Sequence, residues 1–159
     1  MIKKTLSVFL LVLMILPQTA CTNTDQNDNK LDERVEQYYQ NDEFYYDYKT
    51  NHYKFRLPKY WKGKYIVSVT ERREDFYESN SYDKDETGLL FSILEYEDKS
   101  YKKDLKGRDY IYLGYDKRFE LHYVFLMPKE EKYPEEFKEQ YEALKEGIHI
   151  AKRTFKAEL

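Results

Sequence analysis

The chain has 159 residues, 27 of them basic and 30 acidic, for a net charge of −3. A negative balance argues against nucleic acid as a partner, because binding there depends on a cationic face that displaces counterions. Charged residues reach 36%, yet aromatics reach 18% and Tyr alone occurs 18 times, which excludes a disordered composition.

The chain opens with Lys3 and Lys4. An apolar run from Leu6 to Leu16 follows, broken only by Ser7, and then Pro17-Gln18-Thr19-Ala20. A charged head, an apolar middle and a small residue at the cut are the layout of a secretory signal. The run is too short to span a bilayer comfortably, since about 20 apolar residues are needed at roughly 1.5 Å each. Pro17 ends its helix. An uncleaved N-terminal anchor is the other reading of this segment.

Cys21 is the only cysteine, so it has no partner for an internal disulfide. Thr19-Ala20-Cys21 resembles the bacterial lipobox, with Gln18 standing where an aliphatic residue is usual. The resemblance implies that residues 1–20 are removed as a signal peptide. It also implies that Cys21 becomes a lipidated N-terminus on the extracytoplasmic face of the bacterial cell membrane. Two acyl chains or more anchor stably, whereas one binds only marginally. Losing Lys3 and Lys4 takes the net charge from −3 to −5.

Thr22 to Lys30 (TNTDQNDNK) has no apolar residue and reads as a tether, so residues 21–30 join the lipid to a domain over 31–159. Nine such residues span roughly 16 Å as a coil. Leu31, Val35 and Tyr38 suggest a short helix over Leu31–Gln40. Phe44 to Tyr48 and Tyr53 to Leu57 alternate across Thr50-Asn51, which predicts a β-hairpin ended by Pro58. A second hairpin is expected from Tyr65–Thr70 and Phe76-Tyr77 around the charged turn ERRED. Ser79 to Thr87 reads as loop. Gly88 to Tyr96 (GLLFSILEY) reads as a central strand, and Asp98 to Gly107 as a charged connection. A third hairpin joins Asp109–Leu113 to Phe119–Leu126 around Gly114-Tyr115-Asp116-Lys117, with Phe119, Leu121, Tyr123 and Phe125 on one face.

From Pro134 the period changes. Phe137, Tyr141, Leu144, Ile148, Ala151 and Phe155 form one helical face, which Gly147 should interrupt. The predicted architecture is α+β: an antiparallel β-sheet built from hairpins, with a C-terminal helix packed on one face.

The segments YKFRLPKYWKGKY (Tyr53–Tyr65), DFYE (Asp75–Glu78) and GLLFSI (Gly88–Ile93), with a closing helix, resemble a recurrent secreted domain of Gram-positive, especially clostridial, bacteria. That family is often found on lipoproteins, and the resemblance implies no activity and no catalytic residues. The hairpins, the Leu-Pro-x-x-Trp turn and the closing helix are also distantly similar to the PsbP-like fold, which is analogy of fold alone.

Chemistry-bearing motifs are few. Asp83-Lys84-Asp85-Glu86-Thr87-Gly88 resembles the start of a calcium loop, but its twelfth position falls on Leu94, where a bidentate Glu is needed. His52, His122 and His149 lack ligand spacing and read as surface or edge residues. No G-x-S-x-G elbow and no phosphate loop occur. No cofactor, metal or catalytic residue is therefore expected. Tyr60, Trp61 and Lys62, inside a stretch that interleaves three aromatics with three lysines, are candidate binding residues for a peptide or protein. The competing expectation is that Trp61 turns inward behind Pro58 and plugs the end of the sheet.

The sequence thus points to a non-catalytic, membrane-anchored surface lipoprotein that binds a ligand; one form would be an immunity protein intercepting a secreted peptide. The alternative is a cell-envelope enzyme acting on cell-wall material through carboxylates, which a pair of acids in one cleft would favour. Cys21→Ser should release the domain from the membrane or leave an unprocessed precursor. Labelling cells with a fatty-acid analogue and fractionating them checks this. Identical partitioning of both forms, with no label in either, would mean that an uncleaved helix is the anchor.

Overall fold

Aromatic side chains at alternate positions decide where the strands lie. The computed structural model describes residues 39–157; the signal segment, Cys21, the tether and most of Leu31–Gln40 fall outside them. Strands β1 (Tyr45–Lys49) and β2 (Lys54–Pro58) form the expected first hairpin, with Tyr48 opposite Phe55. The Thr50 hydroxyl closes its turn by accepting from the amides of Tyr53 at 3.0 Å and His52 at 3.1 Å.

A second antiparallel sheet contains β3 (Tyr65–Thr70), β4 (Arg73–Glu78), β5 (Leu89–Tyr96), β6 (Tyr110–Asp116) and β7 (Leu121–Leu126), in the order β3-β4-β5-β7-β6. The apolar run is the central strand. Only Glu71-Arg72 turn between β3 and β4, so Arg73, Glu74 and Asp75 are strand residues rather than part of the turn. The third hairpin also turns later than expected. A bulge falls between Tyr112 and Gly114 inside β6, and the reversal runs over Lys117–Glu120, with Glu120 in the left-handed region. Asp116 fixes this turn: its carboxylate accepts from the Arg118 amide at 2.8 Å and pairs with the guanidinium at 2.9 Å. Hydrogen bonding from Arg118 holds the Asp116 pKa below the usual carboxylate range. Phe119 therefore sits exposed in the turn, while Leu121, Tyr123 and Phe125 point into the core.

Two segments expected to be irregular are helical. α1 (Ser79–Asp85) occupies the supposed loop, because the buried Glu78 carboxylate caps it, accepting from Asn80 N at 2.9 Å and Ser81 N at 2.7 Å. Asp83, Lys84 and Asp85 are thus helical and cannot wrap a cation as a loop would. α2 (Tyr101–Asp104) lies in the charged connection. It buries Tyr101 and Leu105 against Val124 and Leu126, so the outer sheet face is partly covered as well.

After Pro134 a 3-10 turn (Glu135–Phe137) leads into α3 (Lys138–Glu146) and, past Gly147, α4 (Ile148–Thr154). The break falls at the predicted glycine. Tyr141, Leu144, Ile148 and Ala151 are buried against the hairpin and the five-stranded sheet, which makes the fold α+β as expected. Leu144 is fully enclosed, so Leu144→Ala should cost about 2–5 kcal/mol through lost contacts and a residual cavity. Urea unfolding measures this; a loss below about 0.5 kcal/mol, the range of surface substitutions, would show that α3 does not pack on the core.

Candidate functional site

The predicted Tyr60-Trp61-Lys62 patch splits apart in three dimensions. Pro58 ends β2 and a single 3-10 turn, Lys59–Trp61, swings Trp61 inward. Trp61 is 0% exposed, its ring centroid 5.7 Å from Tyr65 and 6.3 Å from Phe91. This is the plug, not the exposed anchor. Tyr60 is 46% exposed, and burial of the rest of the ring raises its hydroxyl pKa. The Lys62 ammonium lies 4.9 Å above the Tyr46 ring. All three therefore touch the domain itself, and no tryptophan is presented to a partner.

A concavity of about 650 Å³ lies between the outward side of β2 and the end of α4. Its size is that of a small-ligand or peptide-end pocket. Lys54 and Arg56 face it because they alternate with the inward Tyr53, Phe55 and Leu57. The chain leaving α4 then forms an isolated antiparallel bridge with β2. Lys54 N donates to Lys156 O at 3.0 Å, and Lys156 N donates to Lys54 O at 2.8 Å. Two lysines are thereby held directly opposite each other, and Arg153 joins them at the wall. Arg56 is occupied: it donates to Tyr39 O at 2.9 Å and pairs with Asp42 and Asp47. Lys54, Arg153 and Lys156 have no acidic partner within 4.0 Å among the described residues.

A smaller cleft, of about 210 Å³, opens beside the β1–β2 turn, where His52 and Tyr53 meet Glu74 of β4 and Glu95 of β5. His52 Nδ1 is 3.0 Å from Glu95 Oε1, and the Tyr48 hydroxyl donates to Glu74 at 2.7 Å. Burial, then hydrogen bonding to Glu74 and its charge, pushes the Tyr48 and Tyr53 hydroxyls far above the usual tyrosine range. Tyr53 Oη is close enough to Glu74 for its charge and a loose hydrogen bond to act on it, but it completes no well-formed hydrogen bond among the described residues.

The remaining histidines differ from each other. His149 is exposed on α4, as expected. His122 is 8% exposed rather than superficial, roofed by Tyr112 and Tyr115 and bonded to the Tyr112 hydroxyl at 2.9 Å. No group of three His, Cys, Asp or Glu among the described residues is placed to hold a metal. No protein-family model, curated protein or solved structure matches this chain.

Gly147 explains how Trp61 fits. A Cβ there would stand 2.6 Å from Trp61 Nε1, 2.7 Å from the Tyr60 hydroxyl and 3.0 Å from Pro58. Gly147→Ala should therefore destabilise the domain by about 1–3 kcal/mol through overpacking. It should also shift the single-Trp emission to the red and increase its quenching by acrylamide. Red-shifted, readily quenched emission from the folded wild type would instead place Trp61 in solvent.

Proposed function

We propose that this protein is a non-catalytic lipoprotein. It is held on the extracytoplasmic face of the membrane through Cys21, and it captures an anionic group of a peptide or protein ligand in the cavity between β2 and α4. The single supporting observation is the Lys54–Lys156 bridge with Arg153 beside it. Like charges directly opposite in an antiparallel pair are destabilising. A chain of net negative charge has gathered three cations, without acidic partners among the described residues, around one concavity. A carboxylate or phosphate oxygen placed among them relieves that repulsion and gains charge-assisted hydrogen bonds. The signal segment, the lone cysteine and the polar tether support the address, and no helix among the described residues is long and apolar enough to cross a membrane.

The enzyme reading has one observation in its favour: Glu74 and Glu95, on neighbouring strands, line one cleft. That cleft admits a group the size of a side chain. Cutting a cell-wall polymer requires seating units on both sides of the scissile bond, so binding is the better-supported reading.

The anion site makes stability and binding move in opposite directions. Lys156→Glu turns a like-charge pair into an opposite-charge pair and should stabilise the ligand-free domain by about 0.2–1 kcal/mol. The same change should abolish binding of a short Glu-rich probe peptide, followed by NMR shifts at Lys54 and Arg153. Equal binding of the Gln-for-Glu version of that peptide, or binding unaffected by Lys156→Glu, would sink the proposal.

A further inference from the structure

The cleft at the β1–β2 turn carries the opposite electrostatic character, and it stands independently of the anion cavity. We infer that it is a receptor for an alkylammonium group, such as a lysine side chain of a partner. Glu74 and Glu95 sit on the same face of adjacent strands, since β4 and β5 pair Glu74 with Ile93. Both are partly buried. Neither has a Lys or Arg within 4.0 Å among the described residues; their partners are a tyrosine hydroxyl and an imidazole. Three other buried carboxylates are saturated: Asp75 pairs with Arg73, Asp116 pairs with Arg118, and Glu78 accepts from two amides, the Ser81 hydroxyl and the Gln140 side chain. Arg73 also borders the cleft, but its guanidinium is held by Asp75 at 2.7 Å and Ser92 at 3.2 Å, residues of the opposite sheet face.

The acidic pair does not stand alone. Tyr53 lines the cleft, is 1% exposed, and its hydroxyl completes no hydrogen bond among the described residues. A buried oxygen without a donor costs free energy unless a donor arrives. An ammonium supplies three N–H donors, which matches one Tyr53 oxygen and two carboxylates. Val69 and Ile93 give the cleft an apolar wall for the methylene chain. A volume of about 210 Å³ is below that of drug-sized pockets and fits one extended side chain.

The test titrates the full chain, in non-ionic detergent, with N-acetyl-lysine methylamide and with the isosteric norleucine compound, whose chain ends in methyl. Two-dimensional NMR should show saturable shifts confined to Thr50–Tyr53, Glu74 and Glu95 with the lysine compound alone. Glu74→Gln and Glu95→Gln should each weaken that binding on the order of tenfold, the loss of one charge-assisted hydrogen bond. The wild-type comparison keeps the test informative even if a variant unfolds. Equal shifts with norleucine, no saturation with lysine, or full affinity in both folded Gln variants would overturn the assignment. Lys156→Glu should leave lysine binding unchanged, which separates a failure here from a failure of the anion cavity.

Discussion

Everything else in the domain is arranged around an aromatic stack through the centre of the larger sheet. Phe76, Phe91 and Phe125, from β4, β5 and β7, stack with centroids 4.4 and 4.5 Å apart. Phe55 of the hairpin meets Phe76 and Phe91 edge-on at 5.7 and 6.2 Å. Such pairs contribute about 0.5–1.5 kcal/mol each beyond area burial, and their geometry is directional. The stack therefore fixes how strands lie in the sheet and how the hairpin crosses it. Trp61 closes one end against Phe91, and Tyr141 brings α3 down by donating its hydroxyl to Leu89 O at 2.9 Å.

Glu78 supplies the polar counterpart to that stack. It is fully buried, and its oxygens accept from two amides of α1, the Ser81 hydroxyl and the Gln140 side chain. A carboxylate without partners in such a place would be very costly. Here it joins the end of β4, α1 and α3 at a single point. Gly88 completes the joint, because a Cβ there would stand 2.6 Å from Ser81 Cβ, and its carbonyl receives the Glu78 amide at 2.8 Å.

The two polar sites follow from where the hairpin sits. β2 turns its aromatic residues toward the stack, and so Lys54 and Arg56 must face outward. The end of α4 brings Arg153 to the same side, and the chain beyond it returns along β2 and adds Lys156. The hairpin turn lies over β4 and β5, which places His52 and Tyr53 against Glu74 and Glu95. One small element thereby divides a cationic cavity from an acidic cleft. A ligand with both an acidic and a basic group has a complementary surface for each.

Local periodicity alone made much of the fold legible. Tyr53-Phe55-Leu57, Leu121-Tyr123-Phe125 and the Tyr141-Leu144-Ile148 face needed only their spacing, because period 2 or 3.6 states which side is buried. The inward Trp61 followed from Pro58, and the helix break from Gly147. The charged stretches misled. Ser79–Asp85 has the composition of a loop, and its helix depends on Glu78, a residue seldom found as a cap, held in place by Gln140 about sixty positions away. Asp98–Gly107 looks solvated, but Tyr101 and Leu105 find Val124 and Leu126 across the sheet. Both sites were invisible for the same reason. Lys54 and Lys156, like Glu74 and Glu95, are ordinary exposed-looking charges in sequence. Their meaning comes from strand register and from the return of the chain past α4, contacts between distant segments that no local pattern encodes. The sequence by itself determined the strand and helix faces and the architecture. Only the tertiary structure decided which charges would share one cavity or cleft, with no lysine or arginine paired with Glu74 and Glu95 and no carboxylate paired with Lys54 and Lys156 among the described residues.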